Sequence, residues 1–133
     1  MSQRKRHILV VEDEAMIALL LRKLLEHRGY EVSVAGDGLS ALEQLAAHPA
    51  DLVITDMKMP KLGGNDLIRA LRLRFPNLAV IMTTGFLEFS TQGSGIDGIE
   101  VLYKPVEPRE LLAAVERALA AAAAVSLPTF SKP

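Results

Sequence analysis

The chain has 133 residues, half of them hydrophobic, enough for one domain with a buried core and too few for two. A net charge of -1 gives no electrostatic case for nucleic acid or an acidic substrate, and the absence of cysteine rules out disulfides and thiolate metal sites and fits a reducing cytosol. No apolar stretch approaches a membrane span, and Ile8-Leu9-Val10-Val11 after the basic start is too short for a signal-peptide core, so the expected setting is cytoplasmic, with no membrane partner and no direct nucleic-acid partner.

Apolar runs alternate with helical patterns, which predicts a βα repeat around a parallel sheet. The first strand is His7 to Val11. A helix follows from about Glu14 to Arg28 and stops at Gly29. Its apolar residues, Met16, Ile17, Ala18, Leu19, Leu20, Leu21, Leu24 and Leu25, cover far more than the roughly 100° stripe that a surface helix needs, so part of that arc should lie outside the core. The second strand, Glu31 to Ala35, alternates apolar and polar residues and suits a sheet edge. After the turn Gly36-Asp37-Gly38, a helix spans about Leu39 to Ala47 and is closed by His48-Pro49.

The third strand is Leu52 to Thr55, and a helix spans about Asn65 to Arg74 after Gly63-Gly64. The fourth strand is Ala79 to Met82 and the fifth Val101 to Tyr103. Between them, where a helix is due, Phe86 to Gly98 carries Gly93, Gly95 and Gly98, each costing a helix roughly 1 kcal/mol relative to alanine. That helix is expected to be short or missing. The last helix starts at Pro108, with Glu110 in its first turn, and runs to about Ala124. The domain is expected over residues 1–124, with 125–133 a disordered tail.

Polar groups collect where the strands stop. Glu12-Asp13-Glu14 follow the first strand, Asp56 the third, Thr83-Thr84-Gly85 the fourth and Lys104-Pro105 the fifth. In a parallel sheet these ends share one edge, where open α/β sheets place their sites. Glu12, Asp13 and Asp56 would repel one another unless a cation held them. With no cysteine, and with His7, His27 and His48 scattered along the chain, the available ligands are hard oxygens, which favours Mg²⁺. A free carboxylate, a cation, a lysine and a hydroxyl are the parts needed to accept a phosphoryl group. Taken singly, each residue has a plainer reading: Glu12-Asp13 as a helix cap, Thr84 as turn chemistry, Lys104 as a solvated lysine, Asp56 as a loop acid.

Occurring together and in this order, these segments resemble the receiver domain of two-component response regulators. The resemblance covers about residues 6 to 122, through Ile8-Leu9-Val10-Val11-Glu12-Asp13-Glu14, Asp51-Leu52-Val53-Ile54-Thr55-Asp56-Met57-Lys58-Met59-Pro60, Gly63 or Gly64, Met82-Thr83-Thr84-Gly85 and Lys104-Pro105. It implies a flavodoxin-like three-layer α/β sandwich with a five-stranded parallel sheet in order 2-1-3-4-5. It also implies that Asp56 accepts phosphate from a phosphohistidine on a histidine kinase or histidine phosphotransfer protein. Glu12, Asp13, Asp56 and the backbone carbonyl of Lys58 would surround Mg²⁺, while Thr84 and Lys104 contact the phosphoryl group. The bond between Lys104 and Pro105 is expected to be cis, as the family uses it, and phosphotransfer partners are expected to dock beside the first helix.

The chain departs from the family pattern in two places. Val101 stands where an aromatic residue usually lies three before the lysine, with Tyr103 beside the lysine instead, and the glycine-rich stretch replaces a regular fourth helix. Lys58 and Phe86, two residues after Asp56 and Thr84, would border the site and tune water access. The expected function is a phosphoacceptor that signals by protein contact, catalysing only its own phosphorylation and dephosphorylation. The alternatives are a small Mg²⁺ phosphohydrolase with Asp56 as nucleophile, for which Lys58 stands where a second acid is needed, and an interaction module that is never phosphorylated.

Overall fold

The computed structural model describes residues 5–58, 62, 64–85 and 99–126. Its strands are β1 (His7–Val11), β2 (Glu31–Ala35), β3 (Leu52–Asp56), β4 (Ala79–Thr84) and β5 (Ile99–Tyr103), and its described helices are α1 (Ala15–His27), α2 (Gly38–Ala47), α3 (Gly64–Arg74) and α4 (Pro108–Ser126). The strands form one sheet in the order β2-β1-β3-β4-β5, every pairing parallel. The expected topology is therefore present, with the alternating β2 at an edge. The stretch 86–98, expected to hold a short or missing helix, and the tail 127–133 lie outside the described residues.

The sheet is covered on both faces, because β1 and β3 are apolar at consecutive positions. Ile8, Val10, Leu52, Ile54 and Ile81 pack with Leu25 of α1 and with Leu111, Val115 and Leu119 of α4. Leu9, Val11, Val53, Val80 and Met82 pack on the other face with Leu45 of α2 and Leu67, Ile68 and Leu71 of α3. Each fully buried leucine or isoleucine in these layers contributes about 1.5–3 kcal/mol of transfer free energy.

Local chemistry sets the element ends. At the end of α1, Gly29 takes φ 94°, its N–H donates to the Glu26 carbonyl at 2.9 Å, and Tyr30 N–H donates to Leu25 O at 3.3 Å. This glycine-centred C-terminal motif satisfies carbonyls that the helix leaves open. At the start of α2, the Asp37 side chain accepts from Ser40 N–H at 2.8 Å. Gly38, expected in a turn, is the first residue of α2, and a Cβ there would lie 2.5 Å from the Leu62 carbonyl oxygen. Close approach of the Leu62 backbone is what requires glycine at this position.

Two strands run further than their apolar runs. Asp56 pairs with Thr83 and Thr84 with Tyr103, so both polar residues occupy ladder positions. Met57 N–H donating to Thr83 O at 2.9 Å and Lys104 N–H donating to Thr84 O at 2.8 Å carry the ladder past them. The Lys104–Pro105 peptide bond is cis, as expected. The last helix continues to Ser126 rather than ending at Ala124.

Candidate functional site at the carboxyl edge of the sheet

Parallel pairing in register brings the carboxyl ends of β1, β3, β4 and β5 to one edge. Carboxylate oxygens of Glu12, Asp13 and Asp56 gather there within 4.8 Å of one another. Glu12 and Asp56 are each only 6% exposed, while Asp13 faces solvent. Neither Glu12 nor Asp13 caps α1: its N-cap is Glu14, which makes no side-chain capping bond. The Glu12 carboxylate instead accepts from Glu14 N–H at 3.1 Å. Glu12 is thus held by the backbone at the strand exit.

Burial pushes the Glu12 carboxyl above its ordinary value, and the nearby Asp56 and Asp13 charges push the same way. The Glu14 N–H and the Lys104 charge oppose that rise without cancelling it. Lys104 Nζ lies 3.0 Å from Asp56 Oδ1. This contact is Coulombic. The oxygen is buried and receives no hydrogen bond of acceptable geometry from the described residues. A buried carboxylate oxygen that lacks a directed donor, beside two further acids, could accept a cation.

Thr84 is fully buried, and its hydroxyl lies 3.3 Å from Met57 Sδ and 3.2 Å from Gly85 O. Both are acceptors, so the hydroxyl proton rests on weak or local partners and can be redirected toward an incoming anion. Lys58, two residues beyond Asp56, has an exposed side chain. Val101 is half-buried and Tyr103 is 41% exposed, so the only ring near this strand end already faces outward among the described residues. Phe86 lies outside the described residues.

The arc of α1 stands as expected from its pattern. Ala18 and Leu25 are buried and Leu21 and Leu24 partly so, whereas Met16, Ile17, Leu19 and Leu20 are exposed, Met16 at 70% and Leu20 at 64%.

One expectation fails. The histidines are not all scattered: His7 and His48 face each other with ring centroids 4.2 Å apart, beside Glu31, at the opposite edge of the sheet. Nothing in the linear spacing brings them together. The register that sets His7 opposite Glu31 and the end of α2 at His48 do so.

A parallel 2-1-3-4-5 sheet with acids, a lysine and a buried threonine at its carboxyl ends is a flavodoxin-like α/β module with an acidic site. The chain belongs to the response regulator receiver domain family, whose model matches residues 8–116. It is 37% identical over 118 residues to the alkaline phosphatase synthesis transcriptional regulatory protein PhoP of Bacillus subtilis, an alignment covering 86% of this chain and 48% of that protein. The chain spans about half the length of the curated relatives it matches. A response regulator receiver domain protein from Clostridium thermocellum superposes with TM-score 0.81 at 35% identity, covering 90% of this chain and 98% of that one. The signal receiver domain of an HD domain-containing protein from Pseudomonas fluorescens gives TM-score 0.84 at 30% identity, covering 91% and 99%.

Proposed function

We propose that this receiver domain is a Mg²⁺-dependent phosphoacceptor with Asp56 as the acceptor. The observation that carries this reading is the buried Asp56 carboxylate, clustered with Glu12 and Asp13 and set 3.0 Å from the Lys104 ammonium. Glu12, Asp13, Asp56 and the backbone carbonyl of Lys58 would hold the ion. Bound there, Mg²⁺ supplies positive charge against the phosphoryl oxygens.

The remaining work falls to the chain itself. Asp56 presents one carboxylate oxygen to the phosphorus of a phosphohistidine. A new O–P bond forms as the N–P bond breaks, and the electron pair of that bond leaves with the imidazole. Lys104 moves its charge from the carboxylate toward the transferred group, and Thr84 turns its hydroxyl from Met57 to donate to a phosphoryl oxygen. Response regulators are phosphorylated by histidine kinases, and a kinase or a histidine phosphotransfer protein is the donor proposed here. The exposed apolar arc of α1 supports docking of that partner beside the site. Signalling then proceeds by protein contact. The receiver on this reading extends through the end of α4 at Ser126, two residues past the expected boundary at 124.

Incubation with acetyl phosphate and Mg²⁺, read by intact mass, tests the acceptor. Wild type should gain one phosphate and Asp56→Asn none. A gain of the same size in the variant overturns the assignment, and no gain in wild type overturns the function.

A further inference from the structure

At the amino edge of the sheet, away from the acidic site, a second group of potential ligands converges. His7 opens β1, Glu31 opens β2 directly opposite it, and His48 caps the end of α2. One donor atom from each lies within 4.8 Å of the others. His7 is 3% exposed, an unusual burial for an imidazole, and both its nitrogens are engaged. Nδ1 faces the Pro49 carbonyl at 2.8 Å, and Nε2 faces Ser33 Oγ at 2.8 Å.

A carbonyl can only accept, so Nδ1 carries the proton. In the neutral ring Nε2 then keeps its lone pair and accepts from the serine hydroxyl. An N–H given to a backbone carbonyl is how proteins orient a metal-ligating histidine, although here the Nε2 lone pair is held by the Ser33 hydroxyl. His48 Nε2 and Glu31 Oε2 face each other at 3.3 Å, so a cation there would replace the proton they share.

We propose that His7 Nε2, His48 and Glu31 form a site for a divalent transition metal of the Zn²⁺ class, at the edge of the sheet opposite Asp56. The donor chemistry selects this class. Two imidazole nitrogens and a carboxylate with an open fourth position suit Zn²⁺, with bonds of about 2.0–2.2 Å, whereas Mg²⁺ prefers oxygen alone. Closing the site requires the His48 ring to leave its place over the His7 ring, since a metal lies in the plane of each imidazole that binds it. His48 and Glu31 have half-exposed side chains and can each swing toward the fixed His7, and Ser33 yields the lone pair it occupies. Occupancy would tie the first residues of β1 and β2 to the end of α2. This inference does not rest on Asp56 being phosphorylated.

Zn²⁺ alone is the probe, titrated calorimetrically at neutral pH into the full chain, wild type and the variants His48→Gln, Glu31→Gln and His27→Gln. His7 is left in place because its burial ties it to folding. We expect one Zn²⁺ bound by wild type and by His27→Gln, with affinity lower by about tenfold or more in His48→Gln and Glu31→Gln. The thermal midpoint should rise with Zn²⁺ in wild type but not in His48→Gln. Ring resonances of both His7 and His48 should shift with Zn²⁺ and stay in place with Mg²⁺. Equal Zn²⁺ affinity in wild type and His48→Gln, or ring resonances that do not move, overturns the proposal by placing any bound ion elsewhere, the acidic cluster included.

Discussion

The two edges of the sheet bury polar groups in opposite ways. At the amino edge, His7 is buried with a partner at each ring nitrogen, and its backbone N–H donates to Asp51 Oδ2 at 2.8 Å. At the carboxyl edge, Glu12 and Asp56 are buried close to each other and to Asp13, with Lys104 as the counter-charge and one Asp56 oxygen without a directed donor. In the first arrangement the His7 ring is satisfied without an ion and lends stability, while His48 and Glu31 beside it remain half-exposed. The second is short of positive charge, and the surrounding strands hold it in that state.

This contrast turns into stability measurements of opposite sign. The largest change should come from His7→Ala. It strands the Pro49 carbonyl and the Ser33 hydroxyl, removes the ring stacked on His48 and leaves a void at the start of β1. Roughly 2–4 kcal/mol of unfolding free energy should be lost, read by urea denaturation. His27→Ala, at an exposed position, should stay within about 0.5 kcal/mol of wild type. A loss below about 1 kcal/mol for His7→Ala would mean that the amino edge is no more self-sufficient than the other.

The reverse is expected of Glu12→Gln. In EDTA at neutral pH this variant keeps the shape of the side chain and removes a charge that burial and the neighbouring aspartates disfavour. It should therefore unfold at a higher urea concentration than wild type, by less than His7→Ala loses. If Glu12 is a Mg²⁺ ligand as proposed, adding Mg²⁺ should shrink or reverse that gain. If wild type is the more stable protein in EDTA, the acids of the carboxyl edge do not strain the fold and the contrast between the edges fails.

Much of this was legible beforehand. The strand runs were readable because β1 and β3 are apolar without interruption and their terminators are acids, and in a parallel sheet strand ends must share an edge. The surplus of apolar residues on α1 could be counted from its helical spacing, which is why Met16 and Leu20 standing exposed agrees with the expectation. What escaped notice depends on tertiary placement. Thr84 reads as a turn residue, yet its backbone pairs with Tyr103. Gly38 reads as a turn glycine, yet it serves the approach of Leu62, which is distant in sequence. His7 and His48 meet only after β1 and β2 are in register and α2 has returned along the sheet. A histidine opening a buried strand was the one available signal, since an imidazole there needs partners at both nitrogens.

The smallest effect is the pH dependence of the carboxyl edge, and its sign is fixed by the direction in which Glu12 is displaced. Its folded-state value lies above the ordinary 4.5, so between the two values the folded chain holds a proton that the unfolded chain has released. In that window fewer protons are bound on unfolding, and stability falls as pH rises. The contribution is fully present below the ordinary value and is lost as pH climbs through the raised folded value. Other carboxylates add their own slopes, so the measurement is a difference: urea midpoints of wild type minus Glu12→Gln in EDTA, taken from acid to neutral pH. The difference should become more negative as pH rises, then level off once Glu12 is ionised in the fold. With Mg²⁺ present the slope should flatten, because the ion competes with the proton for the same oxygens. A difference that grows more positive with pH would mean that Lys104 and the Glu14 N–H outweigh burial at Glu12, leaving the carboxyl edge as well compensated as the amino edge.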